Sequence, residues 1–227
     1  MTMPFYVPPE QMMKDRADYA RKGIARGRSL IAMSVVEGIV LVAENPSRTL
    51  YKISEIYDRI AFAGVGKYNE FEMLRIAGVR QADVKGYSFA REDVNARSLA
   101  NAYAQTLGQV FTHELKPYEV EILVAQVGAT PDDDELFQIL YDGVVNDKEG
   151  YTVLGGQADA VTTALLERYA PELDEAGAVR LGAEVLAASD GVPLTAKQLE
   201  VALLDRRKTR RAFHRVKVAE LEALLSG

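Results

Sequence analysis

The residues able to do chemistry are few and scattered. The chain has no cysteine, which excludes thiolate nucleophiles, thiolate metal sites and disulfides. Two histidines, His113 and His214, stand about a hundred residues apart, so no local histidine pair has metal-ligand spacing. Either could serve a serine as a base, yet no Gly-x-Ser-x-Gly elbow is present and no spacing ties them to a serine. "AGVGKYNE", residues 63–70, has the look of a phosphate loop. It lacks the glycine needed at Ala61, the hydroxyl needed at Tyr68 and the third glycine needed at Asn69, so it reads as a strand-to-helix turn. "PDDDE", 131–135, lacks the glycine and terminal glutamate of an EF-hand loop and reads as a solvated loop. "DRRKTRR", 205–211, holds five basic residues between two strand-like runs and reads as a solvated hairpin turn. No metal, cofactor or catalytic residue is expected from these residues.

Bulk properties narrow the class further. The 227 residues are 48% hydrophobic, enough for one sizeable core or two small ones. A net charge of −6 argues against general nucleic-acid binding. The N-terminus "MTMPFYVPPEQ" lacks the basic and apolar regions of a secretory signal, and no apolar run approaches membrane-spanning length. The expectation is a cytoplasmic protein with no membrane contact.

The elements that must position any site follow from the patterning. Residues 1–9 carry three prolines and no periodicity and read as a mobile arm. A helix follows over 10–26, with Met13, Ala17, Ala20 and Ile24 on one face and Gly27 at its end. Its charged face (Lys14, Asp15, Asp18, Arg21, Lys22) is solvated or makes a subunit contact. Leu30–Val35 and Ile39–Ala43 form a hairpin of two buried strands joined through Val36-Glu37-Gly38. Strands are predicted at Leu50–Ile53, Ile60–Gly64, Val120–Val127, Leu136–Leu140 and Tyr151–Leu154, with a turn at Asp147–Gly150. Later strands are predicted at Glu200–Leu204 and Ala212–Val216. Helices are predicted at 67–80, 92–112, Gln157–Tyr169, Asp174–Ser189 and Ala219–Leu225, and Thr195 reads as a cap. Helices come in consecutive pairs, which disfavours a parallel doubly wound sheet. Two stacked antiparallel sheets with a helix pair on each outer face accommodate the order.

These stretches together resemble α subunits of the proteasome core particle, of the actinobacterial type. "ADYARKGIARGRSLIAM" is similar to the family's helix, basic turn and first strand. "EGIVLVAE" resembles its second strand, and "YDRIAFAGVGKYNEFEMLRI" its strand, glycine turn and helix. "LKPYEVEILVAQVG" resembles its Arg-Pro-Tyr-Gly segment, with Glu119 where the family usually has glycine. "GYTVLGGQADAVTTALLERY" resembles the segment with a glycine pair before a helix. The likeness runs from about residue 10 to about 190. The archaeal and eukaryotic Ser-Pro-x-Gly segment is absent.

The resemblance implies an α+β fold: a four-layer αββα sandwich of the N-terminal nucleophile hydrolase type with an extra N-terminal helix. In that scheme residues 1–9 are a gate arm and 10–227 one domain. The family's β subunits use an N-terminal threonine as nucleophile. The equivalent position here is Arg28, with residues 1–27 still ahead of it, so there is neither a hydroxyl nor a free α-amine. The implied role is a noncatalytic ring subunit that assembles with β subunits and with neighbouring α subunits in a seven-membered ring. It would gate substrate passage and dock a ring ATPase activator. Lys52 falls where a catalytic subunit has its active-site lysine; in α subunits it resembles the lysine of the pocket that takes the activator's C-terminal tails. Gly27 matches the pocket's glycine, and Arg26 adds positive field. The gate would be Met1, Thr2, Met3, Pro4, Phe5, Tyr6, Val7, Pro8 and Pro9. Two alternatives stay open: a self-processing hydrolase of the same fold using Ser29, and a binding module without a protease partner.

Overall fold

Alternation inside the strands sorts their apolar residues onto two faces. In β1 (Leu30–Val35), Leu30 and Ala32 face one way and Ile31, Met33 and Val35 the other. Both sets are fully buried, so the strand is covered on both sides. The computed structural model describes residues 8–47 and 49–226 and has the expected layers. One sheet has the order β10-β9-β2-β1-β8, with β2 (Gly38–Glu44), β8 (Tyr151–Leu154), β9 (Leu199–Asp205) and β10 (Phe213–Arg215). The other runs β3-β4-β5-β6-β7, with β3 (Ile53–Tyr57), β4 (Ile60–Gly66), β5 (Val120–Gln126), β6 (Glu135–Ile139) and β7 (Val145–Lys148). All neighbouring strands are antiparallel.

The facing sides of the two sheets share one core, rich in alanine: Ala32, Ala43, Ala61, Ala63, Ala125 and Ala202 lie there beside Leu30, Leu41 and Leu123. Outside the first sheet pack α4 (Ala158–Leu166), α5 (Glu175–Asp190) and α6 (Val218–Ser226). Outside the second pack α2 (Tyr68–Ser88) and α3 (Ala96–His113), with Phe71, Leu74, Leu99, Tyr103 and Leu107 inward. This is the αββα sandwich. No described helix is long and apolar enough to cross a membrane.

The N-terminal helix α1 (Pro9–Ile24) starts and stops earlier than expected, because the chain turns at 25–27 through Ala25 and Gly27 N–H bonds to Arg21 and Ile24 carbonyls. It docks on its own subunit. Ala20 and Ile24 pack with Tyr141, and Arg16 donates to the carbonyls of Phe111 and Val110, which end α3. A guanidinium there also favours the negative end of the α3 dipole. Lys116 stands 5.5 Å over the Tyr19 ring, and Glu119 accepts the Tyr19 hydroxyl, which pushes the phenol's pKa up.

Other boundaries differ from expectation as well. The helix expected over Gln157–Tyr169 stops at Leu166, and four further differences bear on the fold. Leu50–Lys52 is not strand: Leu50 and Tyr51 are exposed, and the Lys52 N–H goes to a side chain instead of a strand partner. β7 replaces part of the predicted turn at 147–150; its composition, "VNDK", carries no apolar signal, yet it completes the sheet edge against β6. The helix over 67–80 continues to Ser88, since nothing between Arg80 and Gly86 breaks it. The helix over 92–112 begins at Ala96, where the Asn95 side chain caps it by accepting the Ser98 N–H at 2.9 Å.

The two charged loops are not independently solvated. Arg206, in the β9–β10 turn, makes a bidentate pair with Asp134 at 2.7 and 2.9 Å. It also donates to the carbonyls of Val35, Val36 and Gly128, while Ser34 and the Gly128 N–H donate to Asp134. Their side chains are only 10% and 2% exposed, so this cluster staples the β1–β2 turn, the 128–134 loop and the β9–β10 turn together. Removing one member of such a buried pair leaves the other charge uncompensated. Asp134→Ala should therefore cost about 3–5 kcal/mol in urea unfolding. Asp132→Ala, on the exposed side of the same loop, should change stability by less than about 0.5 kcal/mol.

Candidate functional site

The candidate site is the corner where the chain leaves α1, turns through 25–29 and enters β1. Two glycines let backbones meet there. A Cβ on Gly27 would lie 2.5 Å from the Val65 side chain, and one on Gly156 would lie 2.2 Å from the Ala25 carbonyl oxygen. The Gly156 N–H donates to Gly27 O at 3.3 Å, so the glycine pair before α4 clamps the turn from the far side. A cavity of about 290 Å³ opens here, lined by Arg26, Gly27, Arg28, Ser29, Glu44 and Gln157 among others. Its walls are mostly polar groups and backbone, with exposed Arg26 at the rim.

Lys52 meets this turn from the second sheet. Its Nζ donates to Arg28 O at 2.7 Å, and its carbonyl accepts the Gly64 N–H at 3.0 Å. Burial pushes the Lys52 pKa down from 10.5 to about 8, against the pull of Glu200 and with the repulsion of Arg28. Arg28 in turn pairs its guanidinium with Glu44, a carboxylate at the end of β2 that is otherwise buried. Ser29 is buried as well, and its carbonyl accepts the Glu44 N–H at 3.2 Å.

The structure thus brings together Gly27, Arg28 and Lys52, with Arg26 on the same rim. Of the expected gate residues, Met1–Val7 lie outside the described residues. Pro8 is exposed and its carbonyl accepts the Met12 N–H, and Pro9 opens α1. Neither histidine joins the corner: His113 ends α3 against the Gln109 carbonyl, and His214 lies in β10 facing Glu220. Among the described residues no group of three or more His, Asp or Glu side chains could hold a metal ion.

Sequence reasoning missed three residues of this corner. Glu44 accepts Arg28. Glu200, buried in β9, accepts the Lys52 and Ile53 N–H groups at 2.9 and 3.1 Å and the Asn45 amide at 2.7 Å. Arg215 pairs with Glu200, donates to Ile53 O at 2.6 Å and stacks 4.0 Å over the Tyr51 ring. The available signal was a charged residue inside the otherwise apolar run "LEVALL", which a buried strand tolerates only with partners.

A family profile described as "Proteasome subunit" matches residues 24–204. The chain belongs to the family of proteasome α subunits. "Proteasome subunit alpha" of Sanguibacter keddieii is 61% identical over 231 residues, covering all of this chain and 91% of that protein. The protein of the same name from Thermomonospora curvata is 58% identical over 227 residues, covering all of this chain and 99% of its own length. That from Acidimicrobium ferrooxidans is 59% identical over 228 residues, covering 99% of this chain and 97% of itself. The resemblance read from "ADYARKGIARGRSLIAM" and the later stretches is therefore correct, including its actinobacterial type. In this α subunit the head of β1 carries Arg28, preceded in the sequence by residues 1–27.

The lowered Lys52 pKa has a sign that can be measured. Folded Lys52 loses its proton near pH 8 and the unfolded chain near 10.5, so the unfolded state binds more protons between those values. Below pH 8 both states are protonated and the folded state carries the full cost of the buried ammonium. Stability relative to Lys52→Met should rise from pH 7 to pH 10, read as the difference in thermal unfolding midpoint of the two proteins across that range.

Proposed function

We propose that this proteasome α subunit is a noncatalytic ring component. It assembles with β subunits and with its own kind into a seven-membered ring, gates substrate passage into the proteolytic chamber, and docks a ring ATPase activator in the cytoplasm. The observation that carries the reading is Arg28 at the head of β1, its carbonyl held by Lys52 and its side chain by Glu44. An N-terminal nucleophile needs a hydroxyl to attack and a free α-amine to take the proton. An internal arginine offers neither, and its carbonyl uses the lysine that would otherwise tune such a centre.

What remains at the corner is cationic and recessed. A lysine partly withdrawn from water, a rim arginine and a glycine turn suit a terminal carboxylate. A charged hydrogen bond formed where water is scarce is stronger than one in bulk. Several tails engaging one ring would add avidity. The arm, residues 1–9, leaves from Pro9 at the exposed start of α1, and arms from a ring would converge on its axis. Prolines keep the arm from extending the helix, and Phe5 and Tyr6 supply apolar bulk to interlock. Ring contacts are heterologous, so closure sets the stoichiometry.

Two measurements test the reading on particles reconstituted with β subunits. Deleting residues 2–9 should raise the rate of small-peptide hydrolysis several-fold; an unchanged rate removes the gate. Lys52→Ala should leave assembly intact and abolish stimulation by the ring ATPase. Loss of one member of a desolvated charge pair costs about 2–5 kcal/mol, or roughly 30-fold or more in tail affinity. Undiminished stimulation removes Lys52 from the pocket.

A further inference from the structure

We propose that Glu200 is the positioning residue of the Lys52 corner: one buried carboxylate that holds the Asn45 side chain and the backbone N–H groups of Lys52 and Ile53 and supplies the countercharge beside Lys52. The geometry is unusual for a carboxylate inside a strand. Glu200 is the second residue of β9, and the segment it holds is the connection between β2 and β3, which belong to different sheets. Its Oε2 takes the Asn45 side-chain amide and the Lys52 N–H, and its Oε1 takes the Ile53 N–H and Arg215. Both ends of the 45–53 connection are therefore tied to one side chain, since the Asn45 amide also donates to Leu50 O at 2.7 Å.

Arg215 closes the device. From β10 it reaches Glu200, the Ile53 carbonyl and the Tyr51 ring, so it holds the residues on both sides of Lys52 without using Lys52 itself. Gly64 of β4 takes the Lys52 carbonyl, but Leu50 and Tyr51 are exposed and form no strand, so regular pairing leaves the Lys52 N–H and the residues ahead of it to be held otherwise. The Glu200–Arg215 pair takes that task.

The charged and titratable groups around Lys52 come from every packed element. Arg28 precedes β1 and carries positive charge; Glu44 of β2 pairs with it. Glu200 of β9 is negative and Arg215 of β10 positive. The Tyr68 phenol of α2, raised first by burial and by Glu72, also feels Glu200. In this set Glu200 favours the charged form of Lys52, while burial and Arg28 oppose it.

The role of the corner in docking rests on the reading of Lys52 given above, so the decisive experiment needs no activator. Particles assembled with β subunits are trace-labelled with acetic anhydride between pH 6 and 10.5, and acetylation of Lys52 is followed by peptide mass spectrometry. Wild-type Lys52 should titrate near 8. Glu200→Gln should lower that midpoint by about 1 pH unit, since an opposite charge is lost while burial remains. Arg215→Gln should raise it, because Glu200 then faces Lys52 without its competing cation. Simple loosening of the connection would instead release Lys52 to water and move both variants upward. A Glu200→Gln midpoint that is unchanged or raised overturns the proposal. If that variant does not assemble, a midpoint in Arg215→Gln that is unchanged, lowered, or raised all the way to the roughly 10.4 of a solvated lysine overturns it. ATPase stimulation of the same particles forms a separate arm. Glu200→Gln should lose stimulation at a lower pH than wild type, and a wild type whose stimulation does not depend on Lys52 counts against the docking reading alone.

Discussion

A charge taken out of water must find its opposite, and the corner at the head of β1 is organised by that rule. Two stacked sheets leave little polar surface between them, yet Lys52, Arg28, Glu44, Glu200 and Arg215 converge where the sheets meet. Unpaired, the two buried carboxylates, Glu44 and Glu200, would each cost several kcal/mol. The structure pairs them in two sets: Arg28 with Glu44 on the first sheet, and Arg215 with Glu200 across β10 and β9. Lys52 stands between the sets and spends a hydrogen bond on a peptide carbonyl. The head of β1 is Arg28, and its carbonyl takes the Lys52 ammonium.

The same rule operates at the opposite end of the sandwich. Arg206 and Asp134 gather five further hydrogen-bonding groups from the end of β1, its turn and the loop at Gly128, and close the turn ends of both sheets. Between the two clusters lies an alanine-rich core whose small side chains let the sheets approach. α1 is fixed separately, by Arg16 on the end of α3 and by Tyr19 with Glu119 and Lys116. α1 is thus anchored on the body of its own subunit. Glu119, where the family usually has glycine, belongs to that anchor.

Much of this architecture could be read from residue patterns because burial on both faces leaves continuous apolar runs. "LIAMSV", "GIVLVA" and "IAFAGV" are strands with little ambiguity, and paired helices between them imply stacked sheets. What failed to show had physical reasons. β7 is a short polar edge strand held by β6, so its composition mimics a turn. Leu50–Lys52 is apolar enough for a strand, but Glu200 takes its backbone donor. Arg206 and Asp134 each sit in a charge run that looks solvated, and their partnership spans 72 residues. Of the site, Lys52, Gly27 and Arg26 were placed by family resemblance, since 24 residues separate Lys52 from the carbonyl it binds. Glu44 and Glu200 announced themselves only as acids near the ends of apolar strands.

The proposed role is that of a subunit with the family's fold and no nucleophile of its own. The most direct measurement treats the assembled particle with an electrophile that requires both a hydroxyl and a free α-amine, then weighs each subunit intact. The account predicts this chain with residues 1–27 retained and carrying no adduct, and the adduct on the β subunit. An adduct on this chain, or a mass that begins at Arg28 or Ser29, would contradict it.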